Sequence, residues 1–326
     1  MVISLDDKKV RDNKEKVLEK ISVIVPITER HDDMKEIYHD YKVVLSEMEM
    51  EFEILFIVDG EFDSAYQDLK SLKANGENFT IIKHSRKFGE ATAITTGFKK
   101  SSGHLIMILP AYFQIEHSEF PKLVANLNGY DMVVAKRWPR SDSKWNQLQT
   151  RVFHRFVKSM VGSVSTDIGC SVRIFRREIL DEIKLYGDLH RFLPILSDRQ
   201  GFKVKEINLR QSSKEKKIRT YPLGIYIRRM IDLLTVFFLI KFTKKPLRFF
   251  GLTGTTVLLI GVCITSYLII GRFFNVFSLS NRPIFLIGIL LIVLGLQIFA
   301  IGLIGEIIIY THAKDFKDYS IKEIIN

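Results

Sequence analysis

The residues of this chain best suited to chemistry are cations that close apolar runs. Arg86 and Lys87 follow "FTIIKHS" (79–85), and Lys136 and Arg137 close "YDMVVAKR" (130–137). In "NQLQTRVFHRF" (146–156), Arg151 and Arg155 stand four apart, on one face of a helix. Arginine presents a planar fork of donors that matches phosphate oxygens. The 326-residue chain has a formal net charge of +11, which suggests a polyanionic partner: nucleic acid, a phosphorylated substrate or anionic lipid. The cations gather near apolar segments and no nucleic-acid-binding module is present, so nucleic acid is the least favoured of the three. The two cysteines, Cys170 and Cys263, lie far apart and support neither a disulfide framework nor a zinc site.

The elements that must position these groups alternate in type. "ISVIVPI" (21–27), "FEILFIVD" (52–59), "FTIIKHS" (79–85), "HLIMIL" (104–109) and "YDMVVAKR" (130–137) read as strands. Helical periodicity runs from about Asp32 to Met50 and over "GEATAITTGFKKSSG" (89–103). This β-α-β-α succession predicts an α/β fold, a mostly parallel sheet with helices on both faces. Ligands of such sheets bind beyond the carboxyl ends of the strands. The candidate positions are therefore Pro26–Glu29, Asp59–Asp63, Ser85–Gly89, Pro110–Gln114 and Ala135–Trp138.

The last third differs. Phe249 to Ile270 is uncharged over about 22 residues, the length needed to cross a hydrocarbon core. Pro283 to Gly305 is a second such run, continuing to Tyr310 past Glu306, to which no chemistry is assigned. The short connection predicts a hairpin. Arg228, Arg229, Lys241, Lys244, Lys245 and Arg248 precede the first run, and Lys314, Lys317 and Lys322 follow the second; this places both termini on the cytoplasmic side. Ile231 to Ile240 is too short to span and is flanked by cations, which suits a helix lying on anionic lipid. A core helix of the preceding domain is the alternative. The N-terminus, "MVISLDDKKVRDNKEK", lacks the apolar core of a signal peptide. The expected organisation is a cytoplasmic α/β domain (1–210), a basic linker with the interfacial helix (211–246), two transmembrane helices (247–311) and a cytoplasmic tail (312–326). The membrane part leaves surface for self-association into a homo-oligomer.

"SVIVP", "IVDG", "HSRKFGEATAITTGF", "DIGCSVRIFRREIL", "HRFLP" and "GLQIFAIGLIGE" occur in one order along nearly the whole chain. That order resembles the family-two inverting glycosyltransferases that load a sugar onto polyprenyl phosphate, the dolichol-phosphate mannose synthase and bactoprenol glucosyltransferase type. The resemblance implies a GT-A fold at the cytoplasmic face of a bacterial inner membrane. A nucleotide-sugar donor would lie over the strand ends, and polyprenyl phosphate would enter from the membrane. It implies donor contacts from Pro26, Asp59, Arg86 and Gln114, and places Asp167 and Arg173 near the reacting atoms. Arg137, Arg151 and Arg155 are the residues expected to hold the acceptor phosphate.

The departures from the family pattern bear on catalysis. The family's "DADLQ" is here Pro110, Ala111, Tyr112, Phe113, Gln114, so both aspartates are replaced. "PVYNE" is Pro26, Ile27, Thr28, Glu29, Arg30, and the first Asp of "DDGS" is Val58. A departing nucleoside diphosphate gains negative charge, and in the family a magnesium or manganese ion held by the Asp pair stabilises it. Without those ligands no metal or other cofactor is expected here. Three alternatives stand: fixed cations (Arg86, Lys87, Lys136, Arg137) replace the metal; Glu116, His117 and Glu119 bind one instead; or the chain is a non-catalytic scaffold or lipid-phosphate binder that partners an active transferase or flippase.

Overall fold

The structure, a computed structural model, describes residues 20–139, 167–215, 231, 246–274 and 283–312. It divides into two compact units, residues 1–233 and 234–326.

The first unit is built on a seven-stranded sheet: β1 (Ile21–Ile27), β2 (Phe52–Asp59), β3 (Thr80–His84), β4 (Leu105–Ile108), β5 (Met132–Arg137), β6 (Arg173–Arg176) and β7 (Val204–Leu209), in the order β3-β2-β1-β4-β6-β5-β7. Pairs β1–β2, β1–β4, β2–β3 and β5–β7 are parallel, whereas β6 runs antiparallel to both β4 and β5. The expected α/β class is therefore observed, as a mixed, mostly parallel sheet of GT-A-like form.

Alternation explains why the sheet is covered on both faces. Val23, Val25 and Ile27 of β1 and Phe56 and Val58 of β2 join one apolar cluster with Ile37, Tyr41 and Leu45 of α1 (Met34–Glu47), Leu69 of α2 (Asp63–Ala74) and Leu123 of α4 (Phe120–Ala125). Ile24, Leu55 and Ile57 point the other way, against Ala93, Ile94 and Phe98 of α3 (Glu90–Lys100), Ile179 of α5 (Glu178–Glu182) and Leu193 of α6 (Leu193–Arg199). α1 starts two residues later than its periodicity predicts. Asp33 caps it, its carboxylate accepting from the Lys35 and Glu36 amides. α2, α5, α6, β6 and β7 are additions to the expected set.

Among the described residues the second unit holds two helices, α7 (Pro246–Phe273) and α8 (Pro283–His312), each long and apolar enough to cross a membrane. Glycine lets them pack closely. A Cβ on Gly254 would lie 2.6 Å from the Phe299 backbone nitrogen, and one on Gly261 would lie 2.7 Å from that of Ile292. Such small-residue contacts are how apolar helices associate in lipid, where water supplies no drive. The Glu306 carboxylate on α8 accepts a long hydrogen bond (3.4 Å) from the Leu247 amide, one of the free donors in the first turn of α7. The expected interfacial helix lies outside the described residues apart from Ile231.

Candidate functional site

The strand order reverses between β1 and β4, the place where open α/β sheets bind ligands. A pocket opens there, lined by Pro26, Thr28, Glu29, Arg30, Glu90, Pro110, Tyr112 and Ser171. Its walls are the loops after β1 and β4. The second is pinned to the first: the Asp32 amide donates to the Ala111 carbonyl (2.9 Å), and the Phe113 amide donates to the Asp32 carboxylate (3.0 Å). The Tyr41 hydroxyl adds a bond to the Pro110 carbonyl (2.7 Å). The Pro-Ala-Tyr segment is thus a fixed wall.

On that wall the Arg30 guanidinium lies over the Tyr112 ring, 3.6 Å from its centroid. Burial raises the Tyr112 pKa, partly opposed by the Arg30 charge, so the side chain is a neutral phenol. Gln114, 2% exposed, ties the β4 tail to the loop before β6: its amide nitrogen donates to the Gly169 carbonyl (3.0 Å) and its oxygen accepts from the Ser171 amide (2.9 Å).

Asp59 was expected to touch a donor. It is instead fully buried, one oxygen accepting from the Phe88 amide (2.9 Å) and facing His84 Nδ1 (2.8 Å), the other accepting from the Gly89 amide (2.7 Å). It shapes the 85–89 loop, in which Gly89 takes φ 96°, a conformation that suits glycine. That loop delivers Glu90, the first residue of α3, to the pocket. Arg86 is exposed on the same loop, its guanidinium 5.0 Å from the Phe88 ring centroid.

Asp167, expected to orient cations or the sugar near the reacting atoms, pairs with Arg137, expected at the acceptor phosphate. Arg137 Nε donates to Asp167 Oδ2 (2.8 Å) and Nη2 to Oδ1 (2.9 Å), while Nη1 donates to Glu215 (3.2 Å). Burial disfavours the Arg137 charge, but bonding to Asp167 outweighs it and raises its pKa. Asp167 is not a free base, nor Arg137 a free phosphate ligand, because each would leave the other buried and unpaired. Lys136 lies 3.9 Å from Glu206. Arg173 is also engaged. It is 3% exposed and donates to the His190 carbonyl (2.7 Å), the Ser171 carbonyl (3.2 Å) and the Cys170 carbonyl (3.4 Å), outside the pocket lining. Burial pulls its pKa down. Arg151 and Arg155 lie outside the described residues.

Glu90 faces His190 Nε2 at 3.2 Å. Burial pushes the Glu90 carboxyl up, yet His190, Arg173 and Arg191 together hold it below the usual range. The pocket therefore contains an ionised carboxylate beside a stacked guanidinium. The second pocket carboxylate, Glu29, pairs with Arg191 at 3.2 Å.

A divalent ion does not fit this donor set. Pro110 and Ala111 have no side-chain donor, and Tyr112 is a neutral phenol under a cation. Glu116 accepts instead from the Ser213 amide (2.8 Å) and Glu119 from Lys122 (2.6 Å), while His117 Nδ1 lies 3.4 Å from the Asp40 carboxylate. Among the described residues no group of three or more His, Cys, Asp or Glu side chains could hold a metal ion.

Arg30, Glu90 and Ser171 are pocket residues that no motif had singled out for a role. Adjacency of β1 and β4 brings Arg30 to Tyr112, and nothing in the local sequence of either loop signals it.

Known proteins agree with this architecture. Glucosyl-3-phosphoglycerate synthase from Mycobacterium tuberculosis in complex with phosphoglyceric acid superposes with a TM-score of 0.52 at 16% identity, covering 68% of this chain and 80% of that one. The same enzyme with Mn2+, uridine diphosphate and phosphoglyceric acid gives 0.51 at 17% identity over 67% and 78%. With Mn2+, UDP-glucose and phosphoglyceric acid it gives 0.51 at 16% over 73% and 84%. At these identities the likeness shows a shared fold. The family model described as glycosyl transferase family 2 matches residues 22–184, half of the chain. By that match, on a sheet of this form, the chain belongs to glycosyl transferase family 2.

Proposed function

We propose that this protein is a membrane-anchored inverting glycosyltransferase that moves a sugar from a nucleotide-sugar to polyprenyl phosphate without the usual metal. The observation that carries this reading is the pocket at the β1–β4 reversal, where the Arg30 guanidinium lies over Tyr112 and the end of β4 offers no carboxylate. Structural neighbours hold UDP and UDP-glucose on the same fold. The two apolar helices support an acceptor that resides in lipid.

In this reading an oxygen of the acceptor phosphate attacks the anomeric carbon from the face opposite the leaving group. The bond from that carbon to the donor diphosphate breaks, and its electron pair leaves on the nucleoside diphosphate. A phosphate monoester has a second pKa of about 6, so the nucleophile is already largely dianionic and needs cations more than a base. Pro26 and Tyr112 wall the donor, Gln114 fixes the loop carrying Ser171, and Arg86 is an outer contact for the nucleotide. Arg151 and Arg155 are assigned to the acceptor phosphate. Asp59, Asp167, Arg137 and Arg173 position loops. Replacement of both aspartates also favours a second reading, a non-catalytic lipid-phosphate binder serving an active transferase.

The test offers a panel of radiolabelled nucleotide-sugars to the full chain in vesicles containing polyprenyl phosphate. Label moving into the lipid fraction supports the enzyme. No transfer from any donor, beside an active family member, favours the binder.

A further inference from the structure

We propose that Arg30, held flat on the Tyr112 ring, supplies the fixed positive charge at the donor diphosphate. This rests on the reading of the pocket as a donor site and names the group that does the electrostatic work there.

Four observations single out Arg30. It is the one cation among the described residues that line the pocket. Its side chain is about a third exposed, so a ligand can reach it. The guanidinium lies over the ring at 3.6 Å, and hydrogen bonding from Arg30 to the Tyr112 side chain helps to hold it there. The nearest carboxylate to it among the ion pairs is Glu215, at 3.9 Å, which Arg137 already holds at 3.2 Å.

The other cations near the strand ends are placed differently. Arg137 is bound to Asp167, Arg173 to three backbone carbonyls, and Lys136 lies beside Glu206. Arg86 lies against Phe88 on an exposed loop. A cation that is preorganised before the donor arrives stabilises the developing charge without reorganising at the moment of bond breaking. Tyr112 is then a positioning residue. It cannot ligate a metal, but its ring and hydroxyl hold the Arg30 charge in place.

The experiment measures binding of UDP and GDP to the full chain by calorimetry, in chelator and with Mn2+. We expect one of them to bind in chelator, with little change on adding Mn2+. Arg30→Gln should weaken that binding roughly tenfold or more, and Arg30→Lys, which keeps charge but loses the stacked fork, by a smaller factor. Tyr112→Phe should cost less affinity than Tyr112→Leu because the ring face remains, and Tyr112→Leu should lose several-fold of it. Thermal melting of each variant separates loss of binding from loss of fold. The combination Pro110→Asp, Tyr112→Asp and Arg30→Glu should convert binding to Mn2+ dependence.

If neither nucleotide binds with or without Mn2+, the donor-site reading falls. If binding by the wild-type chain requires Mn2+, or survives Arg30→Gln unchanged, the role of Arg30 is overturned while the donor site stands.

Discussion

Arg137 holds Asp167 through two parallel hydrogen bonds of 2.8 and 2.9 Å, with Asp167 4% exposed. Two residues thirty apart in sequence, each suited to chemistry by type, are thereby converted into a brace between the end of β5 and the loop before β6. A buried pair is costly to break because removing one partner strands the other.

Asp167→Asn or Arg137→Ala should each destabilise the first unit by about 3–5 kcal/mol. Replacing both by apolar residues of similar volume, Arg137→Met with Asp167→Leu, should recover much of that loss. Denaturant melts of the single and double variants check this. If Asp167→Asn left stability intact and abolished transfer, Asp167 would be a reacting group after all.

Gln114 joins the β4 tail to the 169–171 loop with bonds at both ends of its amide. Gln114→Ala leaves the Ser171 amide without that partner, at a cost of about 1–3 kcal/mol. Hydrogen exchange at residues 169–171 should rise, and donor affinity should fall, because Ser171 lines the pocket.

Asp59→Ala removes the acceptor of the Phe88 and Gly89 amides. We expect the 85–89 loop to become accessible to protease and Glu90 to lose its fixed place. Asp59→Asn should be intermediate, since one amide oxygen can still accept while its NH2 group faces donors.

The Glu90 carboxyl titrates lower in the fold than its ordinary value of 4.5, despite burial that pushes it upward, because of His190 and the nearby arginines. A group depressed on folding contributes stability that is fully present above its unfolded pKa. That contribution is lost as pH falls through the folded value. Below pH 4.5, Glu90→Gln should therefore show a shallower loss of stability than the wild-type chain. Denaturant melts across pH 3 to 7 would reveal the difference, and parallel curves would contradict it.

The fold was legible where burial dictates sequence. β1, β2 and β4 are enclosed on both faces and must be apolar almost throughout, so they stand out. β7 lies at the sheet edge and needs only half its residues inside, which leaves "VKEINL" without a clear signature. β6 is central but opens with Arg173, a charge that three carbonyls make tolerable. No local rule foretells that. The site was less legible for the same reason: Arg137 with Asp167, and Arg30 with Tyr112, are matched across strands whose neighbours are set by topology. The Pro-Ala-Tyr segment was visible at once, but the guanidinium that lies over its tyrosine was not.

In the hairpin, Gly254→Leu would force a side chain against the α8 backbone at Phe299. Overpacking of this kind costs about 1–3 kcal/mol. Hydrogen exchange at the α7 and α8 amides of the full chain should rise in the Gly254→Leu variant.

The most direct test of metal-free transfer is the rate at which the full chain moves labelled sugar onto polyprenyl phosphate in vesicles, measured in chelator and again with added Mn2+. A guanidinium in the metal's place predicts transfer in chelator at an essentially unchanged rate. Transfer that appears only when Mn2+ is added would contradict it.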